Sequence, residues 1–269
     1  MAPEEFDLSI FSKVMKPDDG SAWITGASGG IGRATALRLA ADGWIVFATA
    51  RGTEDLEALA GEVAGPGRIV PVPGDVTDAA AMRVAVERAT AEGPLALVIL
   101  NAGIYTPMRA QNFNAATAKK MFDVNLTGVA NGLEPVLEHM IGRGDGHVAI
   151  TASVAGYRGL PDAAAYSATK AGLIAMAEAL ALDLIDLGVR ISVINPGFVE
   201  TEATSVNEFE MPFLMTPDEA AERIVSGLKK PGFEIAFPRR FAFLLKAIGV
   251  LPDRAYLAAM RKMTGWGKS

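Results

Sequence analysis

Short, continuously apolar runs recur along this chain, separated by alanine-rich stretches of helical periodicity, and that alternation restricts it to one class of fold. The runs fall at residues 22–25, 45–49, 69–72, 95–100, 148–151, 191–194 and 234–237, and the helical stretches at 33–41, 56–63, 79–90, 115–141, 163–187 and 217–228. A strand that reads as an unbroken apolar run is covered on both faces, and a sheet covered by helices on both faces is a parallel one. The pattern therefore predicts a doubly wound α/β fold, with about seven parallel strands and helices on each side. The chain has 269 residues, half of them apolar. That is enough to bury such a core as a single domain spanning 1–269, and no repeat or low-complexity linker divides it.

Charge and side-chain chemistry exclude several functions. A net charge of −6 argues against a general nucleic-acid binder, which needs a basic surface to displace counterions, and favours a small-molecule partner. With no cysteine there is no disulfide, thiolate nucleophile or cysteine-bound metal, and His139 and His147 alone cannot build a histidine-rich metal site. No metal is expected. The amino end carries Glu4, Glu5 and Asp7 ahead of a short apolar patch, the reverse of a secretory signal. The apolar stretch at 241–251 is interrupted by Lys246 and falls short of the roughly 20 residues that span a bilayer. A cytoplasmic protein is expected.

Gly26, Gly30 and Gly32, with Ser28 and Ile31 among them, follow the first strand and open the first helix. Missing side chains there let backbone amides approach a pyrophosphate at the helix amino end, as in a Rossmann-type dinucleotide site. Asp75 and Val76 after the third run, and Asn101, Ala102 and Gly103 after the fourth, lie at strand carboxyl ends, where such sheets bind ligands. The second strand bears on the choice of dinucleotide. Where NAD selection calls for a carboxylate the chain has Ala50, followed by Arg51, whose planar fork of donors suits a 2′-phosphate. NADP is the expected cofactor; the other reading of Arg51 is a solvated residue at a helix entry.

Tyr166 and Lys170 are four apart on a predicted helix and so share a face. An ammonium beside the phenol, together with the positive ring of an oxidised nicotinamide, favours phenolate, so that the tyrosine can accept or donate a substrate proton. Ser153, just after the fifth strand, is placed to hydrogen-bond the substrate oxygen, and Asn125 to hold a water that links Lys170 to solvent. The chemistry implied is hydride transfer at a carbonyl or alcohol. Singly, each residue also has a plain structural reading.

Taken together, Thr-Gly-x-x-x-Gly-x-Gly at 25–32, Asp75, Asn-Ala-Gly at 101–103, Asn125, Ser153, Tyr-x-x-x-Lys at 166–170, and Pro196-Gly197 followed by Thr201 resemble the short-chain dehydrogenase/reductase family, in its smaller single-domain branch. The resemblance covers 21–237. It implies Tyr166 as the acid/base, Lys170 lowering its pKa and holding the nicotinamide ribose, Ser153 positioning the carbonyl, and Asn125 in a proton relay. Pro196, Gly197, Val199 and Thr201 would border the cofactor. A homodimer or homotetramer built on the helices at 115–141 and 163–187 is implied as well. The expected activity is an NADPH-dependent carbonyl reductase, reversible to an alcohol dehydrogenase. Its alternative is a dinucleotide-binding regulatory or scaffold protein without turnover.

The same resemblance makes 198–215 a substrate lid, and here it is apolar and methionine-rich: Val199, Val206, Phe209, Met211, Phe213, Leu214 and Met215. Such a cover suits a lipophilic ketone or aldehyde, or else packs on its own domain. Glu202, Glu208 and Glu210 argue against an anionic substrate. From Arg239 onward seven basic residues face one acidic residue, a balance of +6, so the rest carries −12. In this tail, at 238–269, Tyr256, Leu257, Met260 and Met263 form one helical face. Two readings stand: an interfacial membrane helix, giving a membrane-associated protein, or a stripe packed on the acidic body or a partner subunit.

Overall fold

The computed structural model describes residues 9–205 and 211–265. Glu4, Glu5 and Asp7, the lid residues Val206, Glu208, Phe209 and Glu210, and Lys268 of the tail lie outside the described residues. Strands and helices alternate as β1 (Ser21–Thr25), α1 (Gly30–Ala41), β2 (Ile45–Thr49), α2 (Thr53–Gly61), β3 (Arg68–Pro71), α3 (Ala79–Thr90) and β4 (Leu95–Leu100). They continue as α4 (Ala115–Phe122), α5 (Gly128–Arg143), β5 (Gly146–Thr151), α6 (Ala164–Leu184), β6 (Val189–Pro196) and α7 (Glu202–Ser205). The last elements are α8 (Pro217–Leu228), β7 (Glu234–Phe237), α9 (Arg239–Gly249) and α10 (Asp253–Thr264).

The seven strands form one parallel sheet in the order β3-β2-β1-β4-β5-β6-β7. This is the Rossmann-type doubly wound arrangement expected from the apolar runs. Alternate residues feed opposite faces, as the strand period requires. Ala22, Ile24, Val46, Ala48, Leu97 and Ile99 join one core with α1, α2 and α8. Trp23, Phe47, Val98 and Leu100 join the other with α3, α5 and α6. The five inner strands are thus buried on both sides, which is why their runs carry no polar alternation, whereas the edge strands β3 and β7 are only half covered.

Three expectations are refined. The stretch at 115–141 is helical throughout, but a wide π turn at Asp123–Thr127 lies between α4 and α5. Wide turns of this kind tend to mark functional positions. The tail folds as two helices, and the stripe at 256–263 divides, with Tyr256 and Met260 buried while Leu257 and Met263 remain exposed. Val72 lies just past β3, although its N–H still donates to Ala48 O at 2.9 Å. Among the described residues, no helix is long and apolar enough to cross a membrane.

Candidate active site

The chain winds away from β1 in two directions, so a groove opens outside the carboxyl ends of β1 and β4. Thr25, the last residue of β1, ties its two walls together. Its Oγ1 accepts from the N–H groups of Asn101 at 3.0 Å and Ala102 at 3.1 Å, and Asn101 Nδ2 donates back to Thr25 O at 3.2 Å. The glycine turn is pressed so closely on this lattice that side chains are excluded. Gly26 has φ +69°, and a Cβ on it would lie 2.7 Å from Ala102 Cα. One on Gly32 would lie 2.1 Å from Gly26 O. Helix α1 starts immediately beyond, with Gly29 as an N-cap that supplies no side-chain acceptor. Its first N–H groups are therefore available to an anion.

The groove, of about 410 Å³, is lined by every residue expected at a cofactor. Gly26, Ser28, Gly30, Ile31 and Gly32 form its floor, Arg51 follows β2, and Asp75 and Val76 follow β3. Asn101, Ala102 and Gly103 continue from β4, and Pro196, Gly197, Val199 and Thr201 from β6. Hydrogen bonds from the Thr77 N–H at 2.9 Å and hydroxyl at 2.8 Å hold the Asp75 carboxyl below its ordinary value, and the charge of Arg51 adds a smaller pull. Thr151 Oγ1, on the wall, is buried and without a hydrogen-bond partner. An extended groove with bare helix amides at one end and an unsatisfied buried hydroxyl near the other fits a dinucleotide.

Ser153 follows β5, and the first turns of α6 bring Tyr166 and Lys170 to the same place. Ser153 Oγ accepts from Ala155 N–H at 3.1 Å and donates to Pro196 O at 3.4 Å. Lys170 is only 3% exposed, and its Nζ donates to Thr151 O at 2.8 Å while standing 5.6 Å from the centre of the Tyr166 ring. Burial brings the Lys170 ammonium down to about 8. Burial also raises the Tyr166 phenol above its usual value, with hydrogen bonding to Ser153 pulling the other way.

Asn125 sits in the π turn rather than on the groove wall. Its Oδ1 accepts from Ile104 N–H at 2.7 Å, and its Nδ2 donates to Ile104 O at 2.8 Å and Thr169 Oγ1 at 3.2 Å. Both Nδ2 hydrogens are committed. The side chain clamps the loop leaving β4 onto α6, and a water toward Lys170 is left the second lone pair of Oδ1. Gly103 lies between them: a Cβ there would be 3.4 Å from Asn125 Oδ1 and 3.5 Å from Lys170 Nζ.

A second cavity, of about 720 Å³, meets the groove at Ser153 and Tyr166. Phe198 and Phe213 from the expected lid line it, whereas Val199 turns to the groove. The opposite wall was not foreseen. It comes from the tail, with Phe241, Leu244 and Leu245 of α9 and Met260 and Met263 of α10. Tyr105 was missed as well, although it follows Asn-Ala-Gly by two residues at a strand carboxyl end. It lines both cavities, and its ring stacks edge-on to Tyr166 with centroids 5.0 Å apart. Burial, with the charges of Asp162 and Tyr166, pushes its phenol up to about 12. Asp162 and Phe213, the two non-glycine residues with positive φ among those described, both border this cavity. Backbone strain of this kind gathers at functional sites.

Known proteins share this architecture. The short chain dehydrogenase family profile matches residues 21–210. An oxidoreductase of Myxococcus xanthus is 41% identical over 245 residues, covering 90% of this chain and 97% of the relative. The 3-oxoacyl-acyl-carrier-protein reductase of Thermotoga maritima is 34% identical over 183 residues, covering 67% of this chain and 74% of the relative. A short chain dehydrogenase of Burkholderia cenocepacia, solved in complex with NADP, superposes with a TM-score of 0.77 at 27% identity, covering 91% of this chain and 98% of that one. With the glycine-floored groove and the clustered serine, tyrosine and lysine, these likenesses settle the family: the chain is a short-chain dehydrogenase, an oxidoreductase of a family that binds a nicotinamide dinucleotide and acts on small molecules.

Proposed function

We propose that this protein is an NADPH-dependent reductase of a lipophilic ketone or aldehyde, able to run in reverse as an alcohol dehydrogenase. The observation that carries the reading is the position of Ser153 and Tyr166 at the junction between a groove shaped for a dinucleotide and an apolar cavity. The dinucleotide, when bound, supplies the hydride. Gly26, Ser28, Gly30, Ile31 and Gly32 hold its pyrophosphate at the amino end of α1, and Arg51 its 2′-phosphate. Asp75, Val76, Asn101, Ala102 and Gly103 line its length, and Pro196, Gly197, Val199 and Thr201 flank the nicotinamide.

Ser153 orients the substrate oxygen and Tyr166 donates the proton to it. A phenol kept neutral by burial suits donation, the reductive direction. Lys170 holds the ribose and, near 8, can pass a proton toward Tyr166, with Asn125 keeping the adjoining loop in register. Apolar walls favour a lipophilic carbonyl. The NADP in the Burkholderia structure supports the choice of dinucleotide. Assembly as a homodimer or homotetramer through α4, α5 and α6 belongs to the same reading.

The test combines fluorescence-monitored titration with NADPH and NADH and a screen of apolar ketones and aldehydes. NADPH binds preferentially, and Arg51→Ala removes about tenfold or more of that preference, the worth of a charge-assisted hydrogen bond. Tyr166→Phe lowers turnover by about 10²-fold or more with cofactor affinity kept. Equal loss for both cofactors in Arg51→Ala would refute the phosphate role. Tight NADPH binding without turnover on any carbonyl would favour the regulatory protein instead.

A further inference from the structure

The outer surface of α9 and α10 is both cationic and apolar. On α9 the inward face is Phe241, Ala242 and Leu245, all buried. Phe243 points the other way and is 74% exposed, with Arg239 and Arg240 four and three residues before it and so on its own face. Val250, seven residues after Phe243 and still in right-handed backbone, is 85% exposed. Helix α10 repeats the arrangement. Tyr256 and Met260 are buried, while Leu257 is 65% exposed between Arg254 three residues before it and Arg261 four after. Each helix has therefore satisfied its core-facing side and carries further large apolar groups on its basic side.

This surface adjoins the mouth of the apolar cavity. Phe213, Leu244 and Met263 line that cavity and are also exposed, forming an apolar rim. Charge supplies a direction. The chain from Arg239 onward balances to +6 while the rest of the molecule carries −12, so an anionic plane attracts the tail and repels the body. Large apolar side chains set among arginines are what insertion at a headgroup boundary requires.

We propose that the outer face of α9 and α10 docks on an anionic phospholipid surface, and that the cavity mouth beside it admits a lipophilic substrate from the bilayer. The second half rests on the reductase reading; the docking does not, and vesicle binding is measured without turnover, so that the two can fail separately.

The experiment is co-sedimentation of the intact protein with vesicles of phosphatidylserine and phosphatidylcholine, and with phosphatidylcholine alone. The protein sediments with the first, much less with the second, and is released as ionic strength rises. Combining Phe243→Ser, Val250→Ser and Leu257→Ser lowers vesicle partition about tenfold or more, with NADPH affinity and turnover of a water-soluble carbonyl kept. Arg239→Gln with Arg240→Gln and Arg254→Gln, which leaves the apolar groups in place, lowers partition to phosphatidylserine vesicles and flattens its dependence on salt. Absence of sedimentation by the intact chain, equal binding to both vesicle types, or unchanged binding by the serine variant would overturn the proposal. So would conversion of an oligomer to a smaller species by the serine variant in sedimentation velocity, which would make the face a contact between copies.

Discussion

Lys170 carries a measurable thermodynamic signature of the site. It is buried and its ammonium has fallen to about 8 from an ordinary 10.5. Between those values the unfolded chain binds more protons than the folded one, so stability rises with pH across the window from about 8 to about 10.4. Below it the full penalty is present, about 3 kcal/mol. Lys170→Met removes the titrating group. Urea unfolding of the cofactor-free protein at pH 7 and pH 9.5 should show the gap between wild type and variant narrowing as pH rises, because the tyrosines common to both cancel. A gap that stays constant would mean that Lys170 is solvated. The residues of this site were legible because their spacing is local: Tyr166 and Lys170 lie one helical turn apart, and the glycines follow a strand directly. Tyr105 was not, since an aromatic after a strand has nothing to distinguish it until α6 brings Tyr166 within 5.0 Å. Nor could spacing show that the Asn125 amide is spent on Ile104.

Elements were legible where both faces are buried and obscure where function bends them. The sheet strands needed only apolar runs, whereas the π turn at Asp123–Thr127 contains neither glycine nor proline to announce it. The tail helices were visible as amphipathic, but their place as a cavity wall depends on contacts far apart in sequence. Arg158 makes the decisive ones. Its Nη1 donates to Gly249 O at 2.9 Å and Leu251 O at 2.7 Å, at the turn between α9 and α10, and its guanidinium lies 4.0 Å above the Tyr256 ring. Asp253 adds an ion pair, worth little because its carboxylate is exposed. Tyr256 in turn donates to Gly159 O at 2.6 Å. Arg158→Ala should therefore free the wall of the apolar cavity while the groove keeps its shape. The KM for an apolar carbonyl should rise several-fold with the KM for NADPH unchanged, and stability should fall by about 1–3 kcal/mol. A rise confined to NADPH would place Arg158 in the cofactor's support instead.

At the scale of the whole molecule, chemistry and closure occupy opposite ends of the sheet. The parallel strands all deliver their carboxyl ends to the site, so their amino ends are free to be locked. Arg190, near the start of β6 and 1% exposed, does this with no carboxylate partner among the described residues. Nη1 donates to Lys13 O at 2.6 Å and Leu228 O at 3.3 Å, and Nη2 to Lys230 O at 2.7 Å and Gly232 O at 3.0 Å. One guanidinium thus joins the segment before β1, the end of α8 and the approach to β7. Its burial lowers its own pKa; burial, with a smaller push from the Arg190 charge, holds the neighbouring His147 well below the usual histidine value. A lysine keeps the charge but not the planar fork, and cannot reach carbonyls on both sides. Arg190→Lys should cost about 2–4 kcal/mol by leaving buried carbonyls unpaired, read as a lowered denaturant midpoint with an unchanged slope. Because the lesion lies at the far end of β6 from Pro196 and Gly197, the folded variant should bind NADPH with wild-type affinity. A variant that loses affinity while keeping its midpoint would show instead that the two ends of the sheet are coupled.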